Sequence, residues 1–415
     1  MNIPHIPRGL AFFIAALVVI IVIIVGYKFL AGGVSSVPTG ASPTGLFSAL
    51  FPFGNSGGNT PGGGGAASST PVTGTSGPVP ILREVSPGPV AGGWFVPGTT
   101  ATSAPSIRWM LRENGNVTET PADSLATTRL SNTTVPGVEE LYAVASSTVL
   151  LRYMNASGTL QNALGTLHTS AAEQALILSS FPLFNRVAVG SDGSMETVTE
   201  ENGGAVVERT KPDGSGAKTL FASPILSWVP LVGGTKSFVE TAPSASAIGY
   251  VYEIVNGALQ KIAGGLPGLT ASVSPSGRYV AVSGNGANGL TFFVFDTKTN
   301  GVFPVPVKAT TLKCAWIAPY EPLLFCAVPA SLSSGAFPDA WLLGGATTAD
   351  QAWVVDPGKD TTYVIGTLAD ANGNGMDVEN VSADSTGSYS LFMNKNDLSL
   401  WSLNISDAVA RATGK

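Results

Sequence analysis

A short pattern recurs along residues 81–408 at intervals of about 45, and no other property of this 415-residue chain limits its fold as strongly. The clearest copy reads Val273-Ser-Pro-Ser-Gly-Arg-Tyr-Val-Ala-Val282, a turn entering a strand. Its hairpin partner, Leu290-Thr-Phe-Phe-Val-Phe-Asp296, ends in a polar turn at Gly301. The pattern returns at Trp228 with residues 249–254, at Trp316-Ile-Ala-Pro319 with residues 351–356, and at Val381-Ser-Ala383 with residues 388–392 and 400–403. Weaker copies begin near Pro97, Ala145 and Ser191. Taking Pro97, Ala145, Ser191, Pro230, Pro275, Pro319 and Ala383 as equivalent gives steps of 48, 46, 39, 45, 44 and 64, the last enlarged by an insertion. A unit of this length holds four short strands whose sheet cannot bury its own faces, so units must pack on one another around an axis. The expected fold is all-β, a propeller whose seven copies suggest seven blades, with six or eight left open by the degenerate early copies.

Between the repeats, apolar and polar residues alternate in runs rich in Val, Ile, Thr, Tyr and Phe, separated by Gly, Asn, Asp or Pro, which is the strand-and-hairpin pattern. One stretch departs from it. Residues 170–178, with Ser170 and Glu173 spaced as a capping box, read as a helix. The ends of the repeat region also carry information. Residues 81–85 stand apart from their own repeat behind Ser86-Pro-Gly-Pro89, and the last copy is one strand short. An unpaired sheet edge invites aggregation, so residues 81–85 are expected to supply the outer strand of the last blade and close the ring.

Upstream of the repeats, residues 10–27 carry no charge, enough for a helix of roughly 27 Å, the thickness of a bilayer's apolar core. A cleaved signal peptide is the alternative reading, but the run exceeds a usual apolar signal core and no clean small-residue cleavage site follows. Arg8 before the run favours a cytoplasmic N-terminus, and Lys28 after it pulls the other way. Residues 32–80 are rich in Gly, Ser, Thr and Pro and read as a flexible tether. The expected organisation is a membrane anchor at 1–31, a linker at 32–80 and a propeller domain at 81–410, outside the cytoplasmic membrane.

Arg8 and Lys28 are the only charges in residues 1–80, so all 27 acidic side chains lie beyond them. A domain that is net acidic and has no basic stripe argues against nucleic acid and against docking on anionic lipid.

The unit Val-Ser-Pro-Ser-Gly-Arg-Tyr-Val-Ala-Val at 273–282 resembles the WD40-like repeat of the periplasmic Tol-system (TolB-type) propeller, with Ser276 where that repeat usually has Asp. Residues 82–86, Pro89-Val-Ala-Gly92, Thr128-Arg-Leu-Ser-Asn-Thr-Thr134 and residues 394–401 are similar to a group of uncharacterised bacterial proteins with an N-terminal anchor and one propeller. The resemblance implies the fold; that group carries no activity to transfer.

Catalytic chemistry is poorly supplied. The chain has two histidines, His5 and His168, no G-x-S-x-G elbow, and too few His and Cys for a zinc centre. Carboxylate-only glycan chemistry remains as the enzymatic alternative. Asp370, Asn372, Asn374 and Asp377 have part of the D-x-N-x-N-G spacing of a calcium loop, but Val381 stands where its Glu belongs; a polar turn is the competing reading. The insertion at 329–350 carries Phe337, Asp339 and Trp341, which fit ligand anchors or a loop folded back onto blade six. Cys314 and Cys326 fit either a disulfide between adjacent strands or two buried thiols. The expected function is a binding or scaffold module for a protein or cell-envelope ligand, without a cofactor other than that calcium candidate. A carboxylate pair converging on the central channel would favour the surface-enzyme alternative.

Overall fold

A computed structural model describes residues 77–100, 102–170, 173–332 and 337–415. The apolar run at 10–27 and residues 32–76 of the expected tether lie outside the described residues. No helix among the described residues is long and apolar enough to cross a membrane.

The described residues form seven sheets of four antiparallel strands each. Blades one to six take residues 90–129, 138–181, 186–223, 228–267, 270–304 and 314–367, each a meander running outward from the axis. Inner strands of successive blades touch, at blades five and six through the 3-10 turn Thr311–Lys313 that leads into the inner strand, so the ring is a seven-bladed β-propeller. Because strands alternate in direction, first-to-second and third-to-fourth connections gather on one rim, here the turn rim. Second-to-third and blade-to-blade connections gather on the other, the loop rim.

Closure follows the expectation from the chain ends. The seventh sheet takes three strands from residues 378–404 and its outer strand, Leu82–Ser86, from the start of the domain. Leu82 pairs with Leu403, Arg83 with Ser402 and Glu84 with Trp401. Val85 is buried in the seam with blade one, and the Arg83 guanidinium donates to the Ser124 carbonyl of that blade. Six of the seven repeat markers fall at the end of an inner strand or within three residues beyond it. Pro230 instead sits inside the inner strand Trp228–Gly233. An innermost strand is an edge, which tolerates a residue with no N–H.

The expected helix at 170–178 is corrected to a hairpin. Leu160–Ser170 pairs with Glu173–Phe181 over nine residue pairs ending at Ser170 opposite Glu173. The Ser170 hydroxyl does accept the Glu173 N–H, at 3.1 Å, but the bond joins the facing ends of two paired strands. Leu167 and Leu176 lie across from each other in the core, and that shared burial selects the sheet. A helix that the repeat did not announce follows the last blade: Ser406–Thr413 buries Ala408, Val409 and Ala412 against blades six and seven. Trp94, Trp109, Trp228, Trp316 and Trp401 are buried as core side chains, and Trp353 is half-buried.

The Ser274 turn shows why the repeat reads as it does. Gly277 has φ +72°, and a Cβ there would lie 2.4 Å from the Gly233 carbonyl of blade four. Only glycine fits this blade-to-blade approach. Ser276, standing where the repeat usually has Asp, gives its backbone N–H and hydroxyl to Glu321 of blade six, so a neighbouring blade supplies the carboxylate.

Candidate functional site: the strapped pocket of the loop rim

The 329–350 insertion joins the second and third strands of blade six, Leu324–Pro329 and Asp350–Asp356, and so lies on the loop rim. Its base is closed by Ala330 N–H to the Ala349 carbonyl, 2.8 Å. From there it reaches back over blade five to blade four. Asp339, opening the short helix Asp339–Leu342, accepts from the Ala245 N–H (2.8 Å) and the Ser244 hydroxyl (3.1 Å). Asn285 of blade five donates to the Phe337 carbonyl at 2.7 Å. On the other side Trp341 is buried, its indole N–H donating to both oxygens of Asp377 at 2.8 and 3.0 Å. Lys395 of blade seven donates to the Trp341 carbonyl and sits 4.0 Å from the ring centroid. The insertion of blade six is therefore fixed to three other blades, four, five and seven, by hydrogen bonds that involve side chains.

This placement settles what the three residues do locally. Asp339 and Trp341 hold the strap down. Phe337 is buried with its ring 6.2 Å from Trp341, and it lines a cavity of about 630 Å³ beneath the strap. Leu290, Pro329 and Leu332 add apolar wall, and Asn285, Ser331 and Lys308 add polar groups. Lys308 is exposed and has no ion-pair partner among the described residues. An apolar, mostly preformed pocket with a few convergent polar groups is the usual form of a small-ligand or side-chain site.

The calcium candidate set is not brought together. Asp370 accepts from the Asn372 and Asn374 N–H groups, both at 2.8 Å, and from the Asn374 amide at 2.9 Å, so its carboxylate is spent within its own turn. Asp377 is fully buried beneath Trp341 and belongs to a different cluster. The described contacts follow the competing reading of this loop, a polar turn at 370–374 followed by a buried carboxylate at Asp377. Alternate spacing in a loop does not fix which way the last side chain turns once the chain enters the inner strand Val378–Ala383.

Sequence reasoning missed the cluster that anchors Trp341. Lys313, Asp350 and Asp377 are all fully buried between blades six and seven. The Lys313 ammonium lies 2.8 Å from Asp350 and 2.6 Å from Asp377, with Thr348 at 2.9 Å and the Val378 carbonyl at 2.8 Å. A lone lysine in the otherwise uncharged run Thr310-Thr-Leu-Lys-Cys-Ala-Trp316 was the signal that could have found it. Next to it, Cys314 and Cys326 face each other across the inner two strands, Cα atoms 4.1 Å apart, and are joined as a disulfide.

Carboxylates also gather near the axis. Glu139, Glu140 and Glu379 line a smaller cavity of about 260 Å³ with Arg112, where blades seven, one and two meet on the loop rim. Glu139 pairs with Arg112, and Glu140 accepts from Arg152 (3.1 Å) and the Tyr142 hydroxyl (2.6 Å). Burial raises the Glu379 carboxyl above its ordinary range, against the pull of Lys395.

No protein-family model and no curated protein sequence matches the chain. Among solved structures, it is similar to an oligogalacturonate lyase from Vibrio parahaemolyticus at 7% identity and TM-score 0.52, over 82% of this chain and 99% of that one. It is also similar to the β-propeller domain of the Trilobed protease from Pyrococcus furiosus, at 9% identity and TM-score 0.47, over 75% and 95%. TolB from Acinetobacter baumannii matches at 10% identity and TM-score 0.38, over 71% of this chain and 60% of TolB. At these identities the likeness is one of fold. The β-propeller that the Tol-system repeat implied is the fold of this chain.

Proposed function

We propose that this chain is a binding module: a propeller held outside the cytoplasmic membrane by residues 1–31, presenting its loop rim to a protein or cell-envelope ligand. The observation that carries the reading is the strap. Asp339, Trp341, Asn285 and Lys395 are committed to holding the insertion across four blades, and the pocket under it is thereby preformed. Preorganisation of this kind lowers the entropy lost on binding. Phe337 and Leu290 offer apolar contact, and Lys308 offers one cation at the edge. The occupant that fits is an apolar side chain or chain end beside a carboxylate. The disulfide at Cys314–Cys326 suits an oxidising compartment and supports the extracytoplasmic placement.

Photo-crosslinking in the source cells tests this. A photoreactive residue at Leu290 of the full-length chain should capture one discrete partner, and Lys308→Glu should reduce the yield severalfold. Equal capture from Thr386, on the turn rim, would contradict the assignment of the loop rim.

A second reading, a surface enzyme acting on glycans, draws on the carboxylates at the axis. Two of them are already paired with arginine, which leaves Glu379 as the candidate acid. Turnover of an acidic oligosaccharide that is lost in Glu379→Gln would favour it over the binding module.

A further inference from the structure

Lys313 immediately precedes the inner strand of blade six, Asp350 opens that blade's third strand, and Asp377 immediately precedes the inner strand of blade seven. Water is excluded from all three side chains, each at 0% exposure. The Lys313 nitrogen has four oxygen atoms within 2.6–2.9 Å, those of Thr348, Asp350, Asp377 and Val378. An ammonium carries three N–H donors, so one of these contacts cannot be a hydrogen bond of its own. The other oxygen of Asp350, Oδ1, is buried with no partner. Trp341 roofs the group, its ring centroid 4.7 Å from the nitrogen and its N–H on Asp377.

We propose that Lys313 and Asp350 condense with each other to form an intramolecular isopeptide bond, with Asp377 as the base that serves the reaction. An ion pair sealed from water pays a large desolvation cost, which proton transfer from the lysine to Asp350 removes. The resulting neutral amine attacks Cγ of the protonated Asp350. Asp377 takes the proton released by the attacking nitrogen and passes it to the departing hydroxyl. One C–N bond forms, one C–O bond breaks and one water leaves, with no change of oxidation state and no co-reactant. Fixing the groups in contact supplies the effective concentration that an amine and an acid lack in solution. The product's remaining N–H stays within reach of the Val378 carbonyl.

The two carboxylates are held in states that suit these roles. Burial raises Asp350 above its ordinary range despite Lys313. At Asp377 burial pushes the same way, but hydrogen bonds from Lys313, Trp341 and Thr348 overcome it and keep the group low. The bond would frame the foot of the strap covalently, since residues 313 and 350 bracket the disulfide and the whole insertion. It stands independently of what the pocket binds.

Intact-mass analysis of the purified full-length chain tests the proposal. The expected result is a deficit of one water beyond the two hydrogens of the disulfide. Proteolysis should then yield a branched peptide joining the Lys313 and Asp350 segments. Asp377→Asn should slow its formation by about a hundredfold or more, as loss of a general base does. In Asp350→Asn the same branch should form with loss of ammonia in place of water. A wild-type chain that keeps its full mass after prolonged incubation, or a branch to Asp377, would overturn the proposal.

Discussion

The seam between blades six and seven and the seam between blades three and four come from the same repeat, yet they treat buried charge in opposite ways. In the first, Lys313 answers two buried carboxylates within 2.8 Å, Trp341 and Thr348 add donors to Asp377, and Oδ1 of Asp350 alone is left without a partner. The disulfide, the C-terminal helix and a continuous apolar cluster from Ile317 to Ala412 surround it. In the second, Glu196 is equally buried, but its nearest cation, Arg209, stands 3.6 Å away and is shared with Asp192, Ser194 and the Gly234 carbonyl. One Glu196 oxygen has no partner, and burial raises this carboxyl to about 7. A cleft of about 720 Å³ opens beside it. At the next seam Glu240 is fully buried, also with an unpartnered oxygen, and burial raises it well above its ordinary range. A closed ring thus distributes its stability unevenly: it is firm where the strap is anchored and soft on the opposite side.

The largest expected effect breaks the firm side. Deleting residues 81–86 removes the outer strand of blade seven, with buried Arg83, Val85 and Ser86. It should cost on the order of 5 kcal/mol or more, read as a large fall in Tm and in urea midpoint. An unchanged Tm would mean that the ring does not depend on this closure. Lys313→Met comes next, because it leaves Asp350 and Asp377 buried without the nitrogen that partners both, as ammonium or as amide, at about 3–5 kcal/mol by denaturant titration. Replacing both Cys314 and Cys326 by Ser, which opens a loop of sequence separation 12, should cost about 3 kcal/mol by the same titration.

The smallest effect sharpens the soft side, and its sign is opposite. Glu196 has a raised folded pKa, so its contribution is fully present below its ordinary value of 4.5 and is lost as pH rises through about 7. Glu196→Gln should therefore stabilise the chain by roughly 2 kcal/mol above pH 7 and flatten the decline between pH 4.5 and 7. Equal pH profiles for wild type and variant would show that this seam carries no uncompensated charge.

Much of this architecture is legible in the sequence, because a propeller repeats itself. The inner-strand exits at Pro97, Ala145, Ser191, Pro275, Pro319 and Ala383 and the stranded segment at 81–85 gave the blade number and the closure. At 160–181 a Ser-to-Glu contact spaced as a capping box looks the same at a helix start and between two paired strand ends, and only the opposing Leu167 decides. The site was legible in part. Its insertion announced itself through the long step to Ala383, and its three notable side chains were identified. Their roles were not, because Trp341 and Asp377 are brought together by packing between residues 36 apart, which local spacing does not encode. Glu196 is hidden for the same reason, since a charged residue in a strand reads as a solvated face until the neighbouring blade is laid against it; Lys313 shows only as the lone charge in residues 310–316.

Hydrogen exchange resolved by peptide on the full-length chain tests the asymmetry most directly, since it reports local opening separately from global unfolding. The account predicts that Leu82–Ser86 and the strands of blade seven exchange only with global unfolding. Lys218–Ser223 and Ile248–Val255, beside the cleft, should exchange faster by local opening. Exchange of Leu82–Ser86 ahead of the strands beside the cleft, or uniform protection around the ring, would contradict it.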